Sequence, residues 1–280
     1  MMPQSTPTKV NLACGGVFVT GDGWINLDYS SADPAVKRAD LLGRLPLPDD
    51  GAVLVYSSHF LEHIPRSQVP GFLAECRRIL APGGVLRLVL PDLDNLCRTY
   101  LSHRECGEHE KANFVVLEMI DQCVRHEPGG ELGGFYRGLK CVPEAYPELI
   151  DFFRERTGED LLVADRSARS MRAIGALPGL WRKVKVRIER LWAKAVLHLL
   201  PSAFRAQNVS IASVGERHHW LWDFEQLRTV LQAAGFDDIE RCDASTSRFD
   251  GFPFQKLDLD ADGRPRKGVE SMYIEARKID

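Results

Sequence analysis

Two adjacent glycines, Gly15 and Gly16, separate two short apolar segments near the start of the chain. The segments at residues 10–13 and 24–27 have the length and composition of buried parallel strands. A glycine pair allows a sharp turn and a close approach of the backbone to a ligand, because neither residue has a Cβ atom. Asp28 ends the second segment, where its carboxylate can accept hydrogen bonds from both hydroxyls of a ribose. The stretch therefore predicts a nucleotide-type ligand at the edge of a parallel sheet.

This stretch, which contains L-A-C-G-G and G-W-I-N-L-D, resembles the opening of class I S-adenosylmethionine (SAM) dependent methyltransferases. In that family a Gly-rich turn contacts the methionine end of SAM, and an acidic residue after the second strand binds the ribose. The resemblance implies SAM as the cofactor, with Ala13 standing where the family usually has its first glycine. A nicotinamide-binding fold is the competing interpretation, but Gly15, Gly16 and Gly21 do not match the G-x-G-x-x-G spacing that it needs.

Later segments resemble the same family and predict the rest of the sheet. The predicted elements are strands at 53–56, 85–90, 239–242 and 271–276 and helices at 67–80 and 224–234. The connection between Gly16 and Gly23 is too short for a normal crossover helix, so we expect at most one helical turn there. The resemblance implies a Rossmann-like α/β three-layer sandwich, mostly parallel, with an antiparallel edge hairpin and a helical insertion.

The resemblance also assigns a cofactor site to residues near the carboxyl ends of these strands. Its predicted members are Asn11, Ala13, Cys14, Gly15, Gly16, Asp28, Asp40, Leu41, Ser57 and Ser58. Asp40 stands where the family often has an acidic residue that meets the adenine amino group; an ordinary surface aspartate is the equal alternative. The fourth strand ends beside the Gly-rich turn in a doubly wound sheet, so Ser57 and Ser58 are expected near the sulfonium of SAM.

The chemistry expected of this family is in-line methyl transfer, for which the protein must hold the acceptor close to the donor and aligned with it. A hydroxyl acceptor also needs a base for its proton, and histidine suits this role near neutral pH. We predict His59 as the base because it directly follows the fourth strand, with His218 and His219 as further candidates; a packing role for His59 is the alternative. Resemblance to members in polysaccharide and secondary-metabolite pathways implies O-methylation of a sugar, glycan precursor or other small metabolite.

His59, Glu62 and His63 form the pattern H-x-x-E-H. It resembles the E-x-x-E-H with which some ubiquinone-pathway O-methyltransferases and small-RNA 2′-O-methyltransferases hold a divalent metal. Such an ion can polarise a hydroxyl, but one carboxylate is a weak ligand set for magnesium. We therefore assign no metal ligand, and the use of an ion at this pattern stays open.

A second acidic pattern, D-L-D-A-D-G at residues 258–263, imitates the start of a calcium-binding loop. Val269 stands where the closing glutamate should be, and basic residues intervene. We therefore predict an exposed turn without calcium.

Composition excludes several classes of function. The net charge of −3 gives no general reason to expect a nucleic-acid partner. The first residues lack the apolar centre of a signal peptide, and the sequence has no apolar run of about 18 residues that could span a membrane. The seven cysteines include no C-x-x-C pair, which suits free thiols in a reducing compartment. We expect a cytoplasmic protein.

The family pattern is lost over a long central segment. We predict an α/β core in two parts, residues 1–96 and 218–280, with a helical insertion at 97–217 that serves as a substrate lid. Within it, residues 179–200 read as a basic amphipathic helix that either covers the acceptor or lies on an anionic membrane surface. The second case leads to an alternative function, a non-catalytic SAM-binding module docked to a membrane or a protein partner. The sequence does not indicate the oligomeric state.

Overall fold

A computed structural model of the chain describes residues 6–31, 33–162, 192, 196, 199–201 and 216–279. The amphipathic helix predicted at residues 179–200 lies outside this range except for a few positions, so its lid and membrane roles stay predictions. Within the described ranges, no helix is long and apolar enough to cross a membrane.

Seven strands of the described residues form a single sheet. They are β1 (Thr8–Leu12), β2 (Trp24–Asp28), β3 (Val36–Arg38), β4 (Ala52–Ser58), β5 (Leu80–Pro91), β6 (Phe236–Cys242) and β7 (Ser271–Lys278). Their order is β3-β2-β1-β4-β5-β7-β6, in which β7 runs antiparallel to both β5 and β6 and the other neighbours are parallel. This order confirms the predicted fold class, including the antiparallel hairpin at the edge.

Helices flank the sheet and fill much of the central segment. Those of the described residues are α1 (Val69–Ile79), α2 (Leu93–Glu105), α3 (His109–Val116), α4 (Gln122–Val124), α5 (Gly130–Cys141), α6 (Pro147–Thr157), α7 (Phe224–Ala233) and α8 (Phe254–Leu257). At the start of α7, the Asp223 carboxylate accepts a hydrogen bond from the Gln226 N–H and so caps the helix. Residues 17–23 contain no helix, as their short length predicted.

The two faces of the sheet pack against different partners, because successive side chains of a strand point to opposite sides. Val55 of β4 and Leu86 of β5 belong to the larger apolar cluster, which also contains the buried sides of α1 and α7. Leu54 and Tyr56 point to the opposite face and pack in a second cluster with Phe252 near α8. Both faces are therefore covered, and the parallel strands present only their carboxyl edge to a ligand.

The described part of the predicted insertion has an apolar cluster of its own. Its buried members are Phe114, Leu132, Leu139, Leu149, Phe153 and Leu161. The helix α2 runs through the predicted boundary at residue 96, so the change from core to insertion occurs inside a helix. The boundaries at 96 and 218 and the lid function stay predictions.

Candidate cofactor and acceptor site

A cavity of about 230 Å³ lies at the carboxyl ends of β1 and β4. It is lined by Asn11, Ala13, Cys14, Gly15, Gly16, Val17, Tyr56, Ser58, His59, Leu257, Arg266 and Lys267. This is the edge at which parallel α/β sheets bind ligands, and it brings most of the predicted cofactor residues together with the predicted base. A cavity of about 660 Å³ beside α6 is larger, but it contains none of the predicted site residues.

The turn after β1 has the backbone geometry that its glycines predict. Ala13 and Gly15 have positive φ values of 55° and 52°, a region in which glycine is favoured. A Cβ atom added to Gly15 or Gly16 would meet no atom within 4 Å, so open space lies in front of both residues. The turn therefore leaves room for a ligand to approach the backbone closely.

Asp28 supports this turn from the end of β2. Its carboxylate accepts hydrogen bonds from the Gly15 N–H and the Ser30 N–H, both at 2.9 Å. An ionised carboxylate has about four lone-pair positions, so two remain for a ligand. Asp28 does not line the cavity itself but lies next to it through Gly15.

Asn11 and Cys14 form the inner wall of the cavity. The Asn11 side-chain amide donates to the Val17 carbonyl at 3.1 Å and so holds the two sides of the turn together. Burial and the nearby Asp28 charge raise the pKa of the Cys14 thiol to about 12. Cys14 is therefore a neutral wall residue and not a thiolate nucleophile.

Ser57, Asp40 and Leu41 do not line the cavity. Ser57 is buried, and its hydroxyl has no hydrogen-bond partner among the described residues. Asp40 is exposed and accepts a hydrogen bond from the Leu42 N–H at 3.1 Å, whereas Leu41 belongs to the large apolar cluster. The cofactor roles of these residues stay predictions.

His59 follows β4 in a left-handed conformation, with φ 50°, and its side chain lines the cavity. Its Nε2 lies 2.9 Å from the Ser271 Oγ, and the Ser271 hydroxyl donates to the Lys267 carbonyl. Because that hydroxyl has only one proton, Nε2 of His59 is the donor and its Nδ1 has a free lone pair. Burial lowers the pKa of His59 well below its usual value, so the ring is neutral.

Glu62 lies beside His59, with its Oε1 3.3 Å from the His59 Nδ1. It is 1% exposed, and neither carboxylate oxygen has a hydrogen-bond partner among the described residues. Burial raises the pKa of Glu62 to about 8. The adjacent His63 donates from Nδ1 to the Arg217 carbonyl, so its Nε2, 3.9 Å from Glu62 Oε1, also has a free lone pair.

The two histidines predicted as further catalytic candidates lie on the far side of Glu62. The buried His218 ring packs edge-on against His63, with 4.8 Å between the ring centres, and burial lowers the pKa of His218 to about 3. His219 is exposed, and its backbone N–H donates to the Glu62 carbonyl. Neither ring lines the cavity, and a catalytic role for either stays a prediction.

Three polar residues of the cavity wall were missed by the sequence analysis: Tyr56, Arg266 and Lys267. Arg266 donates to the Leu259 carbonyl, while its Nε has no hydrogen-bond partner within the described part of the chain. The only signal for these cations is the run R-P-R-K at residues 264–267. Nothing in that run indicates that it folds over the glycine turn, which lies some 250 positions earlier in the chain.

A family model described as a methyltransferase domain matches residues 26–88, which extend from β2 into β5. Similar solved structures include a SAM-dependent methyltransferase from Thermotoga maritima, 13% identical with a TM-score of 0.37, covering 97% of this chain and 81% of that one. Another SAM-dependent methyltransferase, from Archaeoglobus fulgidus, is 12% identical with a TM-score of 0.39, and the match covers 98% of this chain and 87% of that one. No curated protein matches the sequence. These TM-scores are below 0.5, so the fold assignment depends on the sheet order itself.

Proposed function

We propose that this chain, which is a class I SAM-dependent methyltransferase, transfers a methyl group to a hydroxyl oxygen of a sugar, a glycan precursor or a similar small metabolite. The observation that carries the proposal is the presence of His59 in the same cavity wall as the glycine turn. A proton acceptor beside the donor favours transfer to a hydroxyl, because that acceptor must lose its proton during the reaction.

The residues around the cavity fit SAM. When bound, SAM supplies a methyl group that is activated by its positively charged sulfur. We infer that Gly15 and Gly16 leave space for its methionine end and that Asp28 accepts hydrogen bonds from the ribose hydroxyls. Arg266 and Lys267 line the cavity. The Nε–H of Arg266, which has no hydrogen-bond partner among the described residues, is a donor suited to the carboxylate of the methionine.

His59 is inferred to take the proton of the acceptor hydroxyl. Its Nε2 donates to Ser271, which fixes the ring, and its Nδ1, 3.3 Å from the Glu62 Oε1, has the lone pair that can take a proton. The left-handed backbone at His59 supports a functional role, because such strain persists only where the surrounding structure holds it in place.

The first test is calorimetric titration of SAM and S-adenosylhomocysteine into the wild-type chain and Asp28→Ala. We expect wild-type binding of about −8 kcal/mol, the micromolar class. Asp28→Ala should bind roughly 10- to 100-fold more weakly, since two charge-assisted hydrogen bonds to the ribose are lost.

Two further variants separate ligand binding from support of the turn. Asp28→Asn keeps one oxygen for the Gly15 N–H but loses the charge, so its affinity should be intermediate. Asp33→Ala removes an exposed carboxylate in the following loop and should bind as the wild type does. Absence of binding to the wild type would contradict the cofactor site.

The acceptor class needs its own measurement. Hydroxylated sugars and nucleotide-linked sugars are incubated with SAM, and the position of any new methyl group is determined by NMR. A methyl group on oxygen supports the proposal, whereas transfer only to nitrogen or carbon acceptors overturns it.

A further inference from the structure

Three side chains converge behind the cavity. Glu62, His63 and His218 present one ligand atom each, and these atoms all lie within 4.8 Å of one another. Glu62 and His218 are almost fully buried, and His63 is half-buried. The sequence pattern groups His59 with Glu62 and His63. In the structure the third member of the group is His218, from a segment about 150 residues away, and not His59.

None of the described residues donates a hydrogen bond to the Glu62 carboxyl or to the Nδ1 of His218. The only proton of a neutral His63 is on Nδ1, because that nitrogen donates to the Arg217 carbonyl, so Nε2 faces Glu62 with a lone pair. A buried polar group without a partner is costly, and several that face one another call for a positive centre between them.

Lys267 does not supply that centre. Lys267 lines the adjacent cavity, but its ammonium group forms no hydrogen bond with the Glu62 carboxylate. His59, whose Nε2 donates to Ser271, also presents a lone pair at 3.3 Å from Glu62 Oε1. His59 thus adds a further electron-pair donor beside the cluster.

The distances suit metal coordination. Ligand bonds of about 2.1 Å place two donor atoms roughly 3.4 Å apart in a tetrahedral site and roughly 4.2 Å apart across an octahedral one. The 3.9 Å between His63 Nε2 and Glu62 Oε1 falls within this interval. The limit of 4.8 Å for the whole set needs only side-chain adjustments of less than about 1 Å.

The surrounding backbone holds these ligands as established metal sites do. The Nδ1–H of His63 donates to the Arg217 carbonyl, an outer contact that fixes the orientation of a metal-binding histidine. The His218 N–H donates to the Gln122 carbonyl, and the His219 N–H donates to the Glu62 carbonyl. The chain segments that carry Glu62 and His218 are therefore tied together before any ion binds.

We propose that Glu62, His63 and His218 bind one divalent transition-metal ion next to the cofactor cavity. Two imidazoles and one carboxylate favour zinc, manganese, cobalt or iron(II) over magnesium, which prefers oxygen ligands. Three protein ligands leave a coordination position open. If the proposed function holds, an ion held by these residues would supply Lewis-acid polarisation of the acceptor hydroxyl, with His59 as the proton acceptor; the ion site itself does not depend on that function.

The test uses the full chain without an affinity tag, freed of metal by a chelator and titrated with Co²⁺ and Zn²⁺ in the absence of SAM. The visible absorption of bound Co²⁺ gives the stoichiometry, and competition with a chromophoric chelator gives the Zn²⁺ affinity. We expect one ion per chain and a rise in the unfolding temperature on binding. Glu62→Gln and His218→Gln should each lose on the order of 100-fold in affinity, since each removes a ligand.

The matched control is His103→Gln, which removes an imidazole that is already paired with Glu108 at 2.6 Å. Its affinity should equal that of the wild type. The proposal is overturned if wild type shows no Co²⁺ absorption and no shift in unfolding temperature, or if Glu62→Gln binds the ion unchanged. If a variant fails to fold, the wild-type titration alone decides. SAM binding to the metal-free chain, measured separately, distinguishes failure of this site from failure of the cofactor site.

Discussion

Two residues of the candidate cavity's lining adopt left-handed backbone conformations. Ala13 and His59 have φ values of 55° and 50°, which cost energy for any residue with a Cβ atom. For Ala13 the finding explains why the resembling family uses glycine at this position. The sequence showed the departure from that pattern, and the structure shows that the turn keeps its shape in spite of it.

Replacement of Ala13 by glycine should relieve this strain. A left-handed alanine costs about 1 kcal/mol, while glycine adds about 0.5–1 kcal/mol of entropy loss on folding. Ala13→Gly should therefore leave the free energy of unfolding unchanged or raise it by up to about 0.5 kcal/mol. Urea unfolding monitored by circular dichroism measures the difference.

The control for this substitution is Ala74→Gly at an exposed position in the middle of α1. A glycine there should cost about 1 kcal/mol, because the helical backbone gains nothing from a missing Cβ atom. Equal destabilisation by both substitutions would show that the Ala13 conformation stores no strain.

At the scale of elements, the strand β5 differs from its prediction. Residues 85–90 form a strand as predicted, but Arg87 in its middle is charged and fully buried, which the strand pattern does not predict. The guanidinium group of Arg87 forms ion pairs with Asp258 at 2.7 Å and with Glu275 of β7 at 2.8 Å. The Asp258 carboxylate also accepts a hydrogen bond from the Tyr56 hydroxyl.

This ion-pair network also corrects the prediction for residues 258–263. Residues 261–263 are exposed and lie in a turn, as expected, but Asp258 is 2% exposed and belongs to the core between β4, β5 and β7. The burial of Arg87 and Asp258 cannot be predicted from local spacing, because the two residues are 171 positions apart and neither one by itself indicates an ion pair. A buried charge is recognisable only together with its partner.

Loss of the Arg87 guanidinium should destabilise the fold strongly. Arg87→Ala leaves the carboxylates of Asp258 and Glu275 buried without their counter-charge, so the free energy of unfolding should fall by about 3–5 kcal/mol. Arg98→Ala, which breaks an ion pair whose arginine is 78% exposed, should change it by less than about 1 kcal/mol. Thermal and urea unfolding of both variants test this contrast, and similar effects would contradict it.

At the scale of the whole molecule, the sequence was most informative where local pattern and resemblance agreed. The parallel strands β1, β2, β4 and β5 contain the predicted apolar runs, and the glycine turn and His59 meet at one cavity as expected. The contribution of Arg266 and Lys267 to that cavity, and the meeting of His218 with Glu62, depend on tertiary packing of distant segments. No short-range pattern encodes such contacts, which is why these residues were missed or assigned only a general role.

A buried contact joins the central helical segment to the sheet. Arg156 of α6 forms an ion pair with Glu118 at 2.7 Å, and its guanidinium lies 3.9 Å from the Glu270 carboxylate just before β7. One cation thus faces two carboxylates. Burial, followed by the charge of Glu118, raises the pKa of Glu270 well above its usual value. A proton on Glu270 also provides a donor for the Glu118 Oε1, which otherwise has no partner among the described residues.

This arrangement predicts a pH dependence of stability. Because the folded state holds the Glu270 proton more tightly than the unfolded state does, its contribution to stability is complete below the unfolded pKa of about 4.3 and is lost as the pH rises through the raised folded pKa. The slope is at most about 1.4 kcal/mol per pH unit for one proton.

Glu270→Gln replaces the protonated carboxyl by a neutral amide, so it should remove this part of the slope and be relatively more stable at high pH. Urea unfolding of both chains between about pH 5 and pH 9 measures the difference. For the control Glu105→Gln, at an exposed position of α2, the free energy of unfolding should change with pH as it does in the wild type. A parallel profile for Glu270→Gln would instead show that Glu270 is ionised in the fold and that Arg156 neutralises both carboxylates.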